Sequence, residues 1–158
     1  MPNSSDATDA QAWHKRFAMS CNNRAWDLST EVRTPAQDRE MLNAAHASAW
    51  HWEHVGSELN RMRATMLLAE IHALLGMGPS ALAFAETMRA YFTTRETLDW
   101  ELAFTHTIYA HAAHAAGRLS EYREAYQQAT EAIGSVAKED DRNVVAKTFS
   151  LVPTPGGR

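Results

Sequence analysis

Histidine is the residue type with which this sequence could do chemistry, since it occurs eight times in 158 residues. Two pairs, His51 with His54 and His111 with His114, have a spacing of three, which places both imidazoles of a pair on one face of a helix. Two imidazoles on one face can ligate a metal ion or take part in acid–base chemistry. The sequence has no HExxH motif and no cysteine cluster, so it lacks the patterns of common zinc sites. The alternative is that these histidines line helix contacts or face solvent.

A tryptophan between two histidines marks a candidate binding surface on the second predicted helix. His46, Trp50 and His54 are four residues apart and form a stripe separate from the apolar stripe of that helix. Tryptophan and histidine both combine an apolar body with a polar tip, so such a stripe could bind a peptide or a small ligand. The alternative is that Trp50 and Trp52 fill the core or a dimer interface.

The residues that we predict to bind a ligand or a partner are His46, Trp50, His51, His54, His72, His106 and His111. No catalytic residue, metal ligand or cofactor is predicted. Cys21 falls on the apolar face of the first helix without a basic neighbour on that face, which indicates an inert thiol. The segment Gly76-Met77-Gly78 follows a helix and lacks a lysine, which indicates a turn and not a phosphate loop.

The composition bounds the class of protein. A chain of 158 residues with 45% apolar and 22% charged residues is typical of one globular domain. The net charge of −4 and the lack of a basic run argue against a nucleic-acid partner. A single cysteine cannot form an internal disulfide, so we expect a cytoplasmic protein, and no apolar segment is long enough to predict a membrane span.

The signals for helix starts and stops predict an all-α protein of about seven helices. Alanine is abundant while valine and isoleucine are scarce, which favours helix over sheet. Thr34 followed by Pro35 predicts a helix start, and Gly56, Gly76 and Gly117 predict helix ends.

Apolar spacing predicts which faces of the helices are buried. On the first helix the predicted face is Trp13, Phe17, Cys21 and Leu28. The fifth helix is the most apolar, with Leu98 on its buried stripe, so we expect it at the centre. We predict a single domain over residues 1–152, followed by a flexible tail over 153–158. Its parts are antiparallel hairpins at about 6–55, 57–94 and 98–137 and a capping helix at 140–150.

An internal repeat appears when Gly76 is aligned with Gly117, a separation of 117 − 76 = 41 residues. The residues that match around the first glycine are Leu68, Ala69, His72, Ala81, Ala85 and Met88. Those around the second are Tyr109, Ala110, Ala113, Tyr122, Tyr126 and Ala129. This pattern resembles the tetratricopeptide repeat, although Tyr122 stands where a small residue is usual and the period exceeds about 34 residues.

The segment His46-Ala47-Ser48-Ala49-Trp50-His51-Trp52 is also similar to short, uncharacterised bacterial proteins with tetratricopeptide-like helices. The resemblance implies antiparallel hairpins stacked as a short right-handed array, and it supplies no reaction. A protein-interaction or scaffold module is therefore the predicted function, with a protein or peptide partner, a homodimer, and no nucleic acid or membrane. The alternative is a small-molecule or metal-binding protein that uses a histidine- and tryptophan-lined pocket between hairpins.

Overall fold

The prediction of an all-α fold with seven helices is confirmed by the computed structural model, which describes residues 4–156. Within that range the helices are α1 Ser4–Ser29, α2 Pro35–Val55, α3 Glu58–Leu74, α4 Gly78–Phe92, α5 Asp99–Ala115, α6 Leu119–Gly134 and α7 Glu139–Phe149. None of them is long and apolar enough to cross a membrane. The chain divides into two compact units, Met1–Leu68 and Ala69–Arg158. The end of the predicted flexible tail, residues 157–158, lies outside the described residues.

The first unit is built on the hairpin of α1 and α2, and its connection is fixed by hydrogen bonds. The side chain of Thr34 accepts from the backbone N–H of Gln37, and the side chain of Gln37 accepts from the backbone N–H of Thr34. Arg33 donates from its guanidinium to the carbonyls of Leu28 and Ser29, which lie at the end of α1. These contacts end one helix and start the next within five residues, so the chain reverses here.

The fully buried part of the packing of α1 on α2 starts at Ala18. That residue is fully buried, and its carbonyl accepts a 2.8 Å hydrogen bond from the hydroxyl of Ser48 on α2. The predicted buried face is wrong for Trp13 and Phe17, which are 52% and 44% exposed. The spacing identified one face of α1 correctly, but α2 covers the N-terminal part of that face only partly.

The second unit has α5 at its centre, as predicted. Helix α5 contacts α4, α6 and α7, and eleven of its residues are buried. Leu98 is the exception, because it stands at the N-cap of the helix and is 57% exposed. Helix α7 begins at Glu139, so Asp140 and Asp141 lie in its first turn, where carboxylates interact favourably with the helix dipole.

The two glycines that define the repeat sit in turns of the same geometry. Gly76 and Gly117 have φ angles of +70° and +72°, the left-handed region that glycine adopts without a steric penalty. In both turns the next residue donates its backbone N–H to a carbonyl five residues back. These bonds run from Met77 to His72 at 2.8 Å and from Arg118 to Ala113 at 2.9 Å. The 41-residue period therefore has a structural counterpart, while the likeness to tetratricopeptide repeats stays a prediction.

Candidate functional site

Six aromatic rings form a continuous cluster on the hairpin of the first unit. Their residues are Trp13, His14 and Phe17 on α1 and Trp50, His51 and His54 on α2, and we refer to them as the ring cluster. Residues three and four apart share a helix face. His14 and Phe17 contact rings of α2, and Trp13 joins the cluster through Phe17. Pro35 and Thr34 fix the start of α2 and Gly56 fixes its end, which places the histidines of α2 in its last turns.

The three imidazoles of the ring cluster make specific contacts with one another. The Nδ1 atoms of His14 and His51 are 2.9 Å apart. The rings of His14 and His54 are stacked, with centroids 4.3 Å apart and planes within 2°. His54 Nδ1 lies 2.9 Å from the carbonyl oxygen of Trp50, and since a carbonyl only accepts, this nitrogen carries the proton.

The surroundings of His51 disfavour its charged form. Burial is the main cause that lowers the pKa of His51, and the neighbouring His14 and His54 lower it further. A ring with a lowered pKa is neutral at pH 7 and can accept or donate a hydrogen bond. The cluster therefore presents an uncharged imidazole at its centre.

The outer part of the ring cluster faces solvent. Trp50 is 57% exposed, so it does not fill the core, and Trp13 stacks on Phe17 with ring centroids 5.5 Å apart. The guanidinium of Arg16 lies 5.2 Å from the centroid of the Trp13 ring, within the range of a cation–π contact. Large exposed rings that are already ordered by their neighbours are the side chains that contribute most to binding at protein interfaces.

A second pair of functional groups lies in the core of the second unit. Glu70 on α3 and His111 on α5 are buried, and His111 Nδ1 lies 3.0 Å from each carboxylate oxygen of Glu70. Burial acts to lower the pKa of His111, but the charge of Glu70 and its hydrogen bond outweigh burial and raise that pKa. The result is a charge-assisted bond inside the protein.

The other predicted site residues have different environments. His46 is exposed on α2, and His72 is buried with its ring 5.1 Å from that of Phe84. His106 is half-buried, and its Nδ1 atom has no hydrogen-bond partner. Burial, and then the charge of Arg89, lower the pKa of His106.

Sequence reasoning missed four residues of these groups, which are Trp13, His14, Phe17 and Glu70. Trp13 and Phe17 were assigned to the buried face of the first helix, and His14 was not singled out. Glu70 did give a signal, since it stands 41 residues before His111, the same distance as between the two turn glycines.

The structure also bears on thiol chemistry and on metal binding. Cys21 is half-buried, and burial raises the pKa of its thiol, which keeps the thiol protonated at neutral pH. Within residues 4–156, no group of three or more histidine, cysteine, aspartate or glutamate side chains has an arrangement that could hold a metal ion.

The fold and the two groups describe an all-helical protein with a repeated hairpin and an exposed ring cluster. Comparison with protein-family models, with curated proteins and with solved structures finds no match for the chain.

Proposed function

We propose that this chain is a protein-interaction module of the tetratricopeptide-like type and that it binds a protein partner through the ring cluster. The observation that carries the proposal is the exposure of Trp13 and Trp50, each more than half accessible within one continuous aromatic surface. Exposed apolar patches of this kind are uncommon on monomers and mark interaction surfaces. Tryptophan is also the residue type most enriched among those that dominate binding energy.

The repeated hairpin of the second unit supports the class of module. Stacked helical hairpins form extended surfaces, and proteins built from them act mainly by binding other proteins. The equal turns at Gly76 and Gly117 support this class, since each joins two successive helices with the same geometry.

The ring cluster also limits the chemistry of its partner. Trp13, Phe17 and Trp50 offer apolar area, and the imidazoles beside them can donate or accept hydrogen bonds. Arg16 adds a fixed positive charge at the edge of the Trp13 ring. A partner surface on which apolar side chains lie next to a carboxylate is complementary to this arrangement.

The test removes the exposed rings without disturbing the helices. The variant Trp13→Ala/Trp50→Ala keeps helix propensity, because alanine is the best helix former. The matched control is Leu98→Ala/Val144→Ala, which removes two exposed apolar side chains of 57% and 59% exposure outside the ring cluster. Each purified chain is used as bait in a lysate of the cells that produce it, and bound proteins are quantified by mass spectrometry.

We expect the wild type and the control to retain the same partner and the ring-cluster variant to lose it by tenfold or more, the equivalent of about 1.4 kcal/mol. Circular dichroism and thermal unfolding must be the same for the variant and the control. Equal recovery by all three chains would contradict the proposal.

A further inference from the structure

One face of α1 carries charged and aromatic residues in an order that is complementary to the same order read backwards. Asp6, Asp9, Trp13 and Arg16 follow one another at spacings of three or four, so they lie on one helix face. All four are exposed. We call this face the α1 stripe; it is acidic toward the start of the helix, aromatic in the middle and basic beyond.

A stripe with this order is complementary to a second copy that runs in the opposite direction. In a twofold-symmetric pair, residue i of one copy meets residue j of the other, and j meets i. Asp9 and Arg16 are equally far from the point between Ala12 and Trp13. A twofold axis at that point places each Asp9 against the partner copy's arginine and brings the two Trp13 rings together at the axis.

We propose that the chain forms a homodimer in which the α1 stripes of two copies pair antiparallel. The inference rests on the proposed function, because it names a second copy of the chain as a partner for the Trp13 and Phe17 side of the ring cluster. The stacked contact of Trp13 with Phe17 holds the central rings in place before binding, which reduces the entropy lost on association.

The size of the α1 stripe sets the expected affinity. From Asp6 to Arg16 the helix rises about 15 Å. A contact of that length buries less than the roughly 800 Å² per partner of a standard interface. We therefore expect a dimer with a micromolar dissociation constant that dissociates on dilution and weakens with added salt, because exposed ion pairs are screened.

The experiment reverses one charge at a time and then combines the two variants. Sedimentation velocity is recorded over a concentration series for the wild type, Asp9→Arg, Arg16→Asp and an equimolar mixture of the two variants. Each variant alone replaces two symmetry-related attractions by two repulsions. In the mixture, every acidic residue again meets a basic one. The control is Glu124→Arg, a charge reversal at an exposed position of α6.

We expect the wild type and the control to dimerise, and each stripe variant to raise the dissociation constant by about tenfold. The mixture should return to the wild-type value as a heterodimer. This recovery cannot come from a folding defect, because each defective chain would still be present.

Two results would overturn the inference. One is a wild-type chain that stays monomeric up to about 1 mM, a concentration at which even weak specific contacts form. The other is a dimer that is indifferent to both charge reversals, or that the mixture does not restore. Either outcome leaves the capture test with Trp13→Ala/Trp50→Ala unaffected, so failure of this inference is distinguishable from failure of the proposed function.

Discussion

The Nδ1 atoms of His14 and His51 lie 2.9 Å apart, so a hydrogen bond between these rings needs one proton and not two. One nitrogen donates the proton and the other accepts it with its lone pair. When both rings are protonated, two N–H groups face each other and the contact becomes repulsive. The bond therefore links two helices in a way that depends on pH.

The first prediction concerns the titration of His51. Burial, His14 and His54 all lower its pKa, so we expect an NMR titration midpoint below the ordinary value of 6.5. In His14→Gln the midpoint should move up, although not fully, because burial remains the main cause. His106 serves as the control, since its pKa is lowered by burial and Arg89 and should not change. An unchanged His51 midpoint in the variant would show that the two rings do not interact.

The second prediction follows from the same lowered pKa. Because the unfolded chain binds a proton at His51 more readily than the folded chain, the stability gained from the neutral ring is present above about pH 6.5 and is lost on acidification. We expect the free energy of unfolding in urea to fall more steeply below about pH 6 for the wild type than for His51→Gln. Parallel curves for the two proteins would contradict this.

The third prediction has the opposite sign and concerns His111. Glu70 raises the pKa of His111 in spite of burial. The stability that the protonated His111 contributes is therefore complete below the unfolded pKa of about 6.5, and it is lost as the pH rises through the folded pKa. The free energy of unfolding of the wild type, minus that of Glu70→Gln/His111→Gln, should decrease as the pH rises above about 6.5. The double variant lacks both ionisable side chains of the pair. The difference between the two proteins therefore cancels the pH effects of all other groups. A constant difference would refute the prediction.

The fourth prediction tests the energy of the same pair at fixed pH. Glu70→Met and His111→Leu each leave one polar partner buried without its counterpart, which costs about 3 kcal/mol of unfolding free energy. Glu70→Met/His111→Leu removes both partners and should cost less than either single substitution, because no buried charge is left alone. Urea unfolding of the three variants gives the coupling. Additive losses would mean that the two side chains do not stabilise each other.

The fifth prediction uses the two equivalent turns. Gly76→Ala and Gly117→Ala force alanine into the left-handed region, so each should lower the unfolding free energy by about 1 kcal/mol. Neither position has a neighbour within 4 Å of an added Cβ, so the effect is one of backbone conformation. Gly134→Ala, on α6 and equally free of neighbours, should instead stabilise the protein by up to about 1 kcal/mol. Unequal losses of unfolding free energy would show that the two turns do not contribute equally to stability.

The helices could be predicted from the sequence because their ends are encoded locally. Thr34 with Pro35, Gly56, Gly76 and Gly117 each act within a few residues. The exposure of Trp13 could not be predicted, because a periodic pattern identifies a face of a helix but not what covers it. The meeting of His14 and His51 depends on the rotation and register of two helices, which no local pattern specifies.

The pairing of Glu70 with His111 could have been predicted, because the separation of the two residues equals the repeat period. Glu70 and His111 stand at equivalent positions of the repeat, and neighbouring repeats contact each other when they stack. The alignment of Gly76 with Gly117 places Glu70 opposite His111, close to the small residues that suggested the repeat.

The Glu70–His111 contact also constrains how such a chain can arise by duplication. A faithful copy of one hairpin would put the same residue at both positions, and two buried carboxylates or two imidazolium groups would repel each other. Only copies that have diverged can build this bond. The contact therefore gives the hairpins a fixed order, with the acid in the earlier one and the base in the later one, and an array of identical consensus hairpins could not contain it.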